Sequence, residues 1–348
     1  MDHQQLPWPP QPIKHPAAWR NAELFERADW THSLSSSDVA EIRAAVMACE
    51  SDDLYQITKA RFPLPRLGET LVRIQDALEN GSGACRMVGL PVDEWTESQL
   101  QKILWGLSHY IGTPVSQSAS GERIFSVRDA GFADTDPRSR GPNTRKRLTF
   151  HSDRCDVIGF LCVQPAKSGG ENYVVSSITL FNEILRQRPD LLKILMQPFY
   201  YQRHNVDTGN SSPYTQQPIF SIFEGHFAAN LLRVLIDRAY ASDELPDMSP
   251  QQKEALDFVE ELASLPELHV QFRQEAGDIL FLNNFVTLHR RAEFVDHAEL
   301  DQRRHLLRIW LSVPNSRPLH PSFAGNYGNT AAGAIRGGMR AVSDGSRT

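Results

Sequence analysis

Apolar and polar residues follow two rhythms along the chain. A recurrence of three to four positions predicts helices over Ser37–Ala48, Arg66–Leu78, Glu97–Tyr110, Thr179–Met196 and Pro250–Leu262. A serine cluster before the first suits an N-cap, and "DMSP" before the last supplies a cap with proline at the helix start. Between the helices lie short apolar or alternating runs bounded by Gly, Pro and Asn, which predict strands. They cover Ala84–Val88, Ile124–Val127, Val157–Val163, Tyr173–Ser176, Ile219–Ile222, Val270–Arg273, Asp278–Leu282 and Leu306–Val313. Short strands with helices mainly early and inserted late suit an antiparallel sandwich better than alternating βαβ units. Ala130–Arg147 and His204–Gln217 carry neither rhythm and read as long loops, of the kind that serve as lids or binding loops.

Composition narrows the class. With 348 residues and 41% hydrophobic content the chain can bury a sizeable core, in one large domain or two ordinary ones. A net charge of −6 argues against a basic nucleic-acid footprint. No apolar run approaches the roughly 18 residues needed to span a bilayer, and the polar, Pro-rich first residues lack a signal-peptide core. Cys49, Cys85, Cys155 and Cys162 show no disulfide framework or CxxC spacing, so reduced thiols in a cytoplasm are the expectation. A homo-oligomer is compatible with all of this.

The stretch "FHSDRCDVIGF" sets Asp153, Arg154 and Asp156 against an apolar run, where carboxylates need a cation, hydrogen bonds or a metal. On an extended strand His151 and Asp153 project from one face, about 7 Å apart at Cα. A lone HxD is weak evidence, and a histidine bonded to a nearby carboxylate explains it as well. The candidate third ligand is His289 in "GDILFLNNFVTLHRR"; two histidines and a carboxylate match the facial triad of non-haem iron sites. Downstream, "RRHLLRIWLSVP" places Arg304, Leu306, Arg308 and Trp310 on one strand face. The other face, His305, Leu307, Ile309 and Leu311, is apolar enough to pack against helices. Two arginines on an inward face suit an anionic ligand or, equally, structural acids.

Together, the HxD at 151–153, "AKSGGEN" at 166–172, "GDILFLNN" leading to His289, and Arg304 fifteen residues later resemble the taurine dioxygenase and clavaminate synthase-like superfamily of Fe(II)- and 2-oxoglutarate-dependent oxygenases. The resemblance implies a mainly β fold with flanking helices, a double-stranded β-helix or jelly roll. It also implies a single oxygenase domain over 1–348, with a helical extension over about 1–80 and a core over about 83–339. It implies His151, Asp153 and His289 as iron ligands and Arg304 as the partner of the far carboxylate of 2-oxoglutarate. Asn172 stands where the family often has Thr or Ser for that carboxylate, and its amide can still donate. Arg308 matches an arginine that faces either the cosubstrate or an acidic substrate group.

The activity implied is hydroxylation, desaturation or ring closure of a small polar or acidic metabolite or natural-product intermediate, with Fe(II), 2-oxoglutarate and O2 consumed to release succinate and CO2. Family halogenases carry a small residue in place of the carboxylate ligand, so Asp153 speaks for oxygenation. Gln117 and Arg128 are candidate substrate contacts. A metal-dependent hydrolase or isomerase on the same barrel, or a non-catalytic binding protein, is the alternative. In the hydrolase or isomerase the Arg304/Arg308 face would have no cosubstrate to bind.

Overall fold

The apolar run at 157–163 becomes the central strand of the protein. In the computed structural model, which describes residues 8–49, 53–132, 141–204, 207–210 and 212–341, this strand spans Val157–Gln164. It lies between Ile279–Asn283 and His305–Ser312, antiparallel to both. Ala84–Val88 and then Thr31–Ser33 extend the sheet on one side; Thr113–Val115 and Ile124–Val127 both pair with His305–Ser312 on the other. Every pairing in this seven-stranded sheet is antiparallel except Thr31–Ser33 with Ala84–Val88.

Side chains from these strands are apolar on both faces because both faces are covered. Val157, Leu161, Ile279, Phe281, Leu307, Ile309 and Leu311 pack against the helices Ser36–Ala48, Leu67–Asn80 and Glu97–Ile111. Ile158, Leu280, Leu282 and Trp310 point the other way, onto Val174, Val270 and Phe272 of a second sheet. That sheet has three antiparallel strands in the order His269–Phe272, Asn172–Ser176, Thr287–Arg291. Its outer face is covered in turn by Ser177–Gln187, Pro189–Leu195 and Pro250–Ala263. The order of layers is therefore helices, large sheet, small sheet, helices. Each Leu or Ile buried in them contributes about 1.5–3 kcal/mol.

Several expectations need adjustment. The helix expected over Thr179–Met196 is two helices, because Pro189 has no N–H to give and Arg188 before it takes φ −142°, ψ 67°. The stretch His204–Gln217 is not all loop: Tyr214–Gln217 pairs with Phe199–Gln202. Arg233–Tyr240 is helical although its polar residues obscure the period. Ala130–Arg147 is irregular where described, apart from one 3-10 turn at Gly141–Asn143; residues 133–140 lie outside the described set. The N-cap expectations hold: Ser35 and Ser249 each accept from the third helical N–H. All four cysteines are buried, and none forms a disulfide among the described residues. No helix among the described residues is long and apolar enough to cross a membrane.

After the last strand the chain folds back across one end of the sandwich. Arg336, fully buried, donates from Nε to Asp156 Oδ1 at 2.7 Å. The N–H groups of Gly337, Gly338 and Met339 donate to the carbonyls of Tyr327, Arg154 and Ser116 at 2.7–2.8 Å. Gly337 and Gly338 take φ of 74° and 68°, and a Cβ on either would stand 2.7–2.8 Å from a backbone oxygen. The Gly-rich tail is thus a fixed strap.

Candidate active site

The strap, both sheets and the loop around Leu148 enclose a cavity of about 460 Å³, and the HxD motif opens onto it. His151 and His289 exchange backbone hydrogen bonds at 3.0 and 2.9 Å, which brings their rings to 4.5 Å between centroids. Asp153 is fixed by its own N–H, which donates to Asn284 Oδ1 at 3.0 Å; the Asn283-Asn284 break in the strand serves this purpose. Asp153 Oδ2 lies 3.3 Å from His289 Nε2 and 3.9 Å from His151 Nε2. One ligand atom from each of the three residues falls within 4.8 Å of the others.

The donor chemistry fits a divalent metal. His151 Nδ1 donates to the Thr149 carbonyl at 2.9 Å, which leaves the Nε2 lone pair turned toward Asp153. Burial, with His289 alongside, pushes His151 down to about 4, so the ring is neutral at pH 7. Burial alone would raise the Asp153 carboxyl, but His289, Arg308 and His151 outweigh it and hold the group well below the usual range. Its Oδ2 is buried without a hydrogen-bond partner. A buried, ionised oxygen without a partner, facing the neutral His151 ring and the His289 ring beside it, is costly unless a cation sits among them.

The arginines occupy the same cavity. Arg304 precedes the strand His305–Ser312, and the register slips between His305 and Leu306. Leu306, Arg308 and Trp310 line the cavity as the alternation requires, and Arg304, ahead of the slip, lines it too. Arg304 is 5% exposed, stacks on Phe294 at 5.1 Å, and its Nη1 has no acceptor. Its backbone N–H donates to Asp296 Oδ1, but no carboxylate among the described residues pairs with its guanidinium. Burial pushes it down to about 10, so it stays charged. The Gly169-Gly170 turn, with φ of 73° and 75°, runs close by: a Cβ on Gly170 would stand 3.6 Å from Arg304 Nε. Asn172, at the end of that turn, donates to Gln274 Oε1 at 3.2 Å and borders the cavity. Arg308 donates from Nε to Gln117 Oε1 at 2.7 Å and brings Nη1 to 3.5 Å from Asp153 Oδ1.

Residues 50–310 match the family described as taurine catabolism dioxygenase TauD, TfdA family. The chain belongs to this family. Among curated relatives, FR-33289 synthase of Streptomyces rubellomurinus is 30% identical, covering 90% of this chain and 94% of its own. Taurine hydroxylase-like protein SAT17 of Stachybotrys chartarum is 28% identical over 84% of this chain and 77% of its own. Among solved structures, asparagine oxygenase with Fe(II), 3-hydroxyasparagine and succinate superposes with a TM-score of 0.63 at 17% identity, covering 81% of this chain and 94% of its own. The non-haem iron oxygenase OrfP with iron and α-ketoglutaric acid gives 0.60 at 15%, with the same coverage. As a TauD/TfdA-family enzyme, the protein is a 2-oxoglutarate-dependent dioxygenase that uses Fe(II) and O2.

In this TauD/TfdA-family enzyme the two sequence-derived substrate candidates fare differently. Gln117 lines the cavity, but its amide is spent: Nε2 donates to the carbonyls of Arg123 and Arg308 while Oε1 holds Arg308 Nε. It positions Arg308 and has little left for a substrate. Arg128 is a correction: it is half-exposed, bonds Ser126, His305 and Glu97, and does not border the cavity. Sequence reasoning missed Arg154, Tyr201, Arg203 and Asn326, which line it together with Asp207, from the long loop His204–Gln217, and Met339, from the Gly-rich tail. Arg154 carried a signal, as a second charge inside the HxD segment; the others arrive from loops and from the strap, where no period marks them.

Proposed function

We propose that the enzyme hydroxylates, or desaturates or cyclises, a small polar or acidic molecule, with His151, Asp153 and His289 holding the iron and Arg304 the far carboxylate of 2-oxoglutarate. The observation that carries this reading is the coincidence, in one cavity, of an unpartnered carboxylate oxygen between two histidines and a buried guanidinium with no acid paired to it among the described residues. A hydrolase would need the first and have no use for the second. The two packed sheets are read as the halves of a double-stranded β-helix, with the site between them at the strap end.

With iron and 2-oxoglutarate bound, the chemistry supplied is oxidative decarboxylation to succinate and CO2 coupled to oxidation of a substrate C–H bond. The protein's part is geometry and charge. The Thr149 carbonyl keeps the His151 proton on Nδ1, so that Nε2 remains a donor to metal. Arg304, fixed beside the Gly169-Gly170 turn and Phe294, offers a charged fork to a carboxylate. Asn172 supports the same end, with Gln274 orienting its amide. Gln117 holds Arg308 beside Asp153, which tempers the charge of that carboxylate. Phe160, Leu306 and Trp310 add apolar surface to the wall beside these groups.

The test is a screen for succinate release with Fe(II), 2-oxoglutarate and a metabolite library. Substrate-stimulated succinate formation that is lost in His151→Ala supports the reading. Turnover of a substrate without O2 or 2-oxoglutarate would overturn it.

A further inference from the structure

The chain as a whole is acidic, with a net charge of −6, yet its cavity is the reverse. Among the described residues, eight cationic side chains, seven of them arginine, line it against two carboxylates, Asp153 and Asp207. Neither carboxylate is free for a substrate. Asp153 stands between the two histidines and Arg308. Asp207 is 4% exposed; its Oδ2 takes Arg154 Nη1 at 2.7 Å and Arg203 Nη1 at 3.4 Å, and its Oδ1 takes Asn210 Nδ2 at 2.6 Å.

The two arginines on Asp207 are not equivalent. Arg203 is consumed by structure: its Nε donates to the Ser212 carbonyl and its Nη2 to that of Gly325. Arg154 uses only Nη1, on Asp207 and on Asn326 Oδ1 at 3.0 Å. Its Nε is buried without a partner, and Nη2 has no acceptor among the described residues. Nε and Nη2 form one edge of the guanidinium, the edge that takes two oxygens of a single oxyanion. The strap fixes this edge in place, because Asn326 holds Nη1 and the Gly338 N–H holds the Arg154 carbonyl at 2.7 Å. Arg154 also follows Asp153 directly, so it enters the cavity from the turn that carries a candidate ligand.

We propose that the vacant Nε/Nη2 edge of Arg154, buttressed by Asp207 and Asn326, anchors an oxyanionic head group of the substrate, and that the substrate is an organic acid without a compensating ammonium group. This rests on the oxygenase reading above. It separates the enzyme from one built for a zwitterion, since an α-ammonium would find no free carboxylate among the described residues that line the cavity.

The experiment uses the full chain, anaerobic and loaded with Fe(II) and saturating 2-oxoglutarate, so that Arg304 is already occupied. Sulfate, propionate and L-asparagine are titrated at constant ionic strength against a chloride control, and binding is read calorimetrically. The visible Fe(II)–2-oxoglutarate band is recorded in each sample. Absence of that band in wild type would defeat the oxygenase reading itself; the anion result is scored on samples that show it. Wild type is expected to bind sulfate or propionate saturably and more tightly than L-asparagine, sulfate ahead if the head is a tetrahedral dianion, propionate if it is a carboxylate. Arg154→Gln should weaken the preferred anion at least tenfold with the band retained. Arg154→Lys, which keeps the charge and loses the fork, should recover part of the loss and decides the matter if the Gln variant does not fold. Unchanged anion affinity in the folded variants, no anion binding in wild type, or tighter binding of L-asparagine would each overturn the proposal.

Discussion

At the scale of single residues, the three charges of the HSDRCD segment have three different fates. Asp156 is neutralised by Arg336, Arg154 by Asp207, and Asp153 only in part, by Arg308 at 3.5 Å. The one with an unsatisfied oxygen is the one that faces two histidines. Arg304 mirrors it as a buried cation with no carboxylate paired to it among the described residues. Removing one partner of a buried charge pair typically costs about 3–5 kcal/mol, and about 1.4 kcal/mol is tenfold in affinity. Arg304→Ala should therefore weaken 2-oxoglutarate binding by roughly two orders of magnitude or more. Lys at that position should restore only part, because a point charge cannot reproduce the fork. Isothermal titration of 2-oxoglutarate into the Fe(II)-loaded variants checks this, with iron affinity itself expected to stay close to wild type.

Elements are where the sequence was legible in part. The central strand, its two neighbours and the helices with clean periods were readable because burial on both faces, or a single apolar stripe, leaves a pattern. The HxD motif, His289 and Arg304 were readable through the order and spacing of the motifs that resemble the oxygenase family; strand alternation alone left a structural reading of each open. Two features hid the rest. Pro189 split a helix whose apolar period runs straight through it, and Tyr214–Gln217 is a strand of polar residues within a loop-like stretch. Arg203, Asp207, Asn326 and Met339 reach the cavity through chain reversals that no local period encodes. The strap is the clearest case, since its place depends on the buried Arg336–Asp156 pair some 180 positions apart. Arg336→Ala leaves that carboxylate buried with Ser312 and Val313 as its remaining donors and should destabilise the protein by about 3–5 kcal/mol. Asp156→Asn combined with Arg336→Met should recover much of this. Denaturant unfolding of the single and double variants measures both, and full additivity of the two changes would contradict the pairing.

On the scale of the whole molecule, helices cover both outer faces while the inner space between the sheets holds charge. Such a centre is expensive to keep empty, so its ligands should stabilise the fold. A ligand present at 100 times its Kd contributes about 2.7 kcal/mol. Fe(II) with 2-oxoglutarate, held without oxygen, should raise Tm in wild type. The metal-dependent part of the rise should vanish in His289→Ala, whose own fold should persist because the ring is backed by Phe160 and the strand pairing is unchanged. Differential scanning calorimetry at several ligand concentrations reports this; an equal rise in wild type and variant would place the metal elsewhere.

The most direct measurement is an anaerobic optical titration of the protein with Fe(II) and 2-oxoglutarate. The account predicts a visible metal-to-ligand charge-transfer band that saturates at one equivalent, disappears in His151→Ala and His289→Ala, and requires far more 2-oxoglutarate in Arg304→Ala. No band in the wild-type protein, or an undiminished band in both histidine variants, would contradict it.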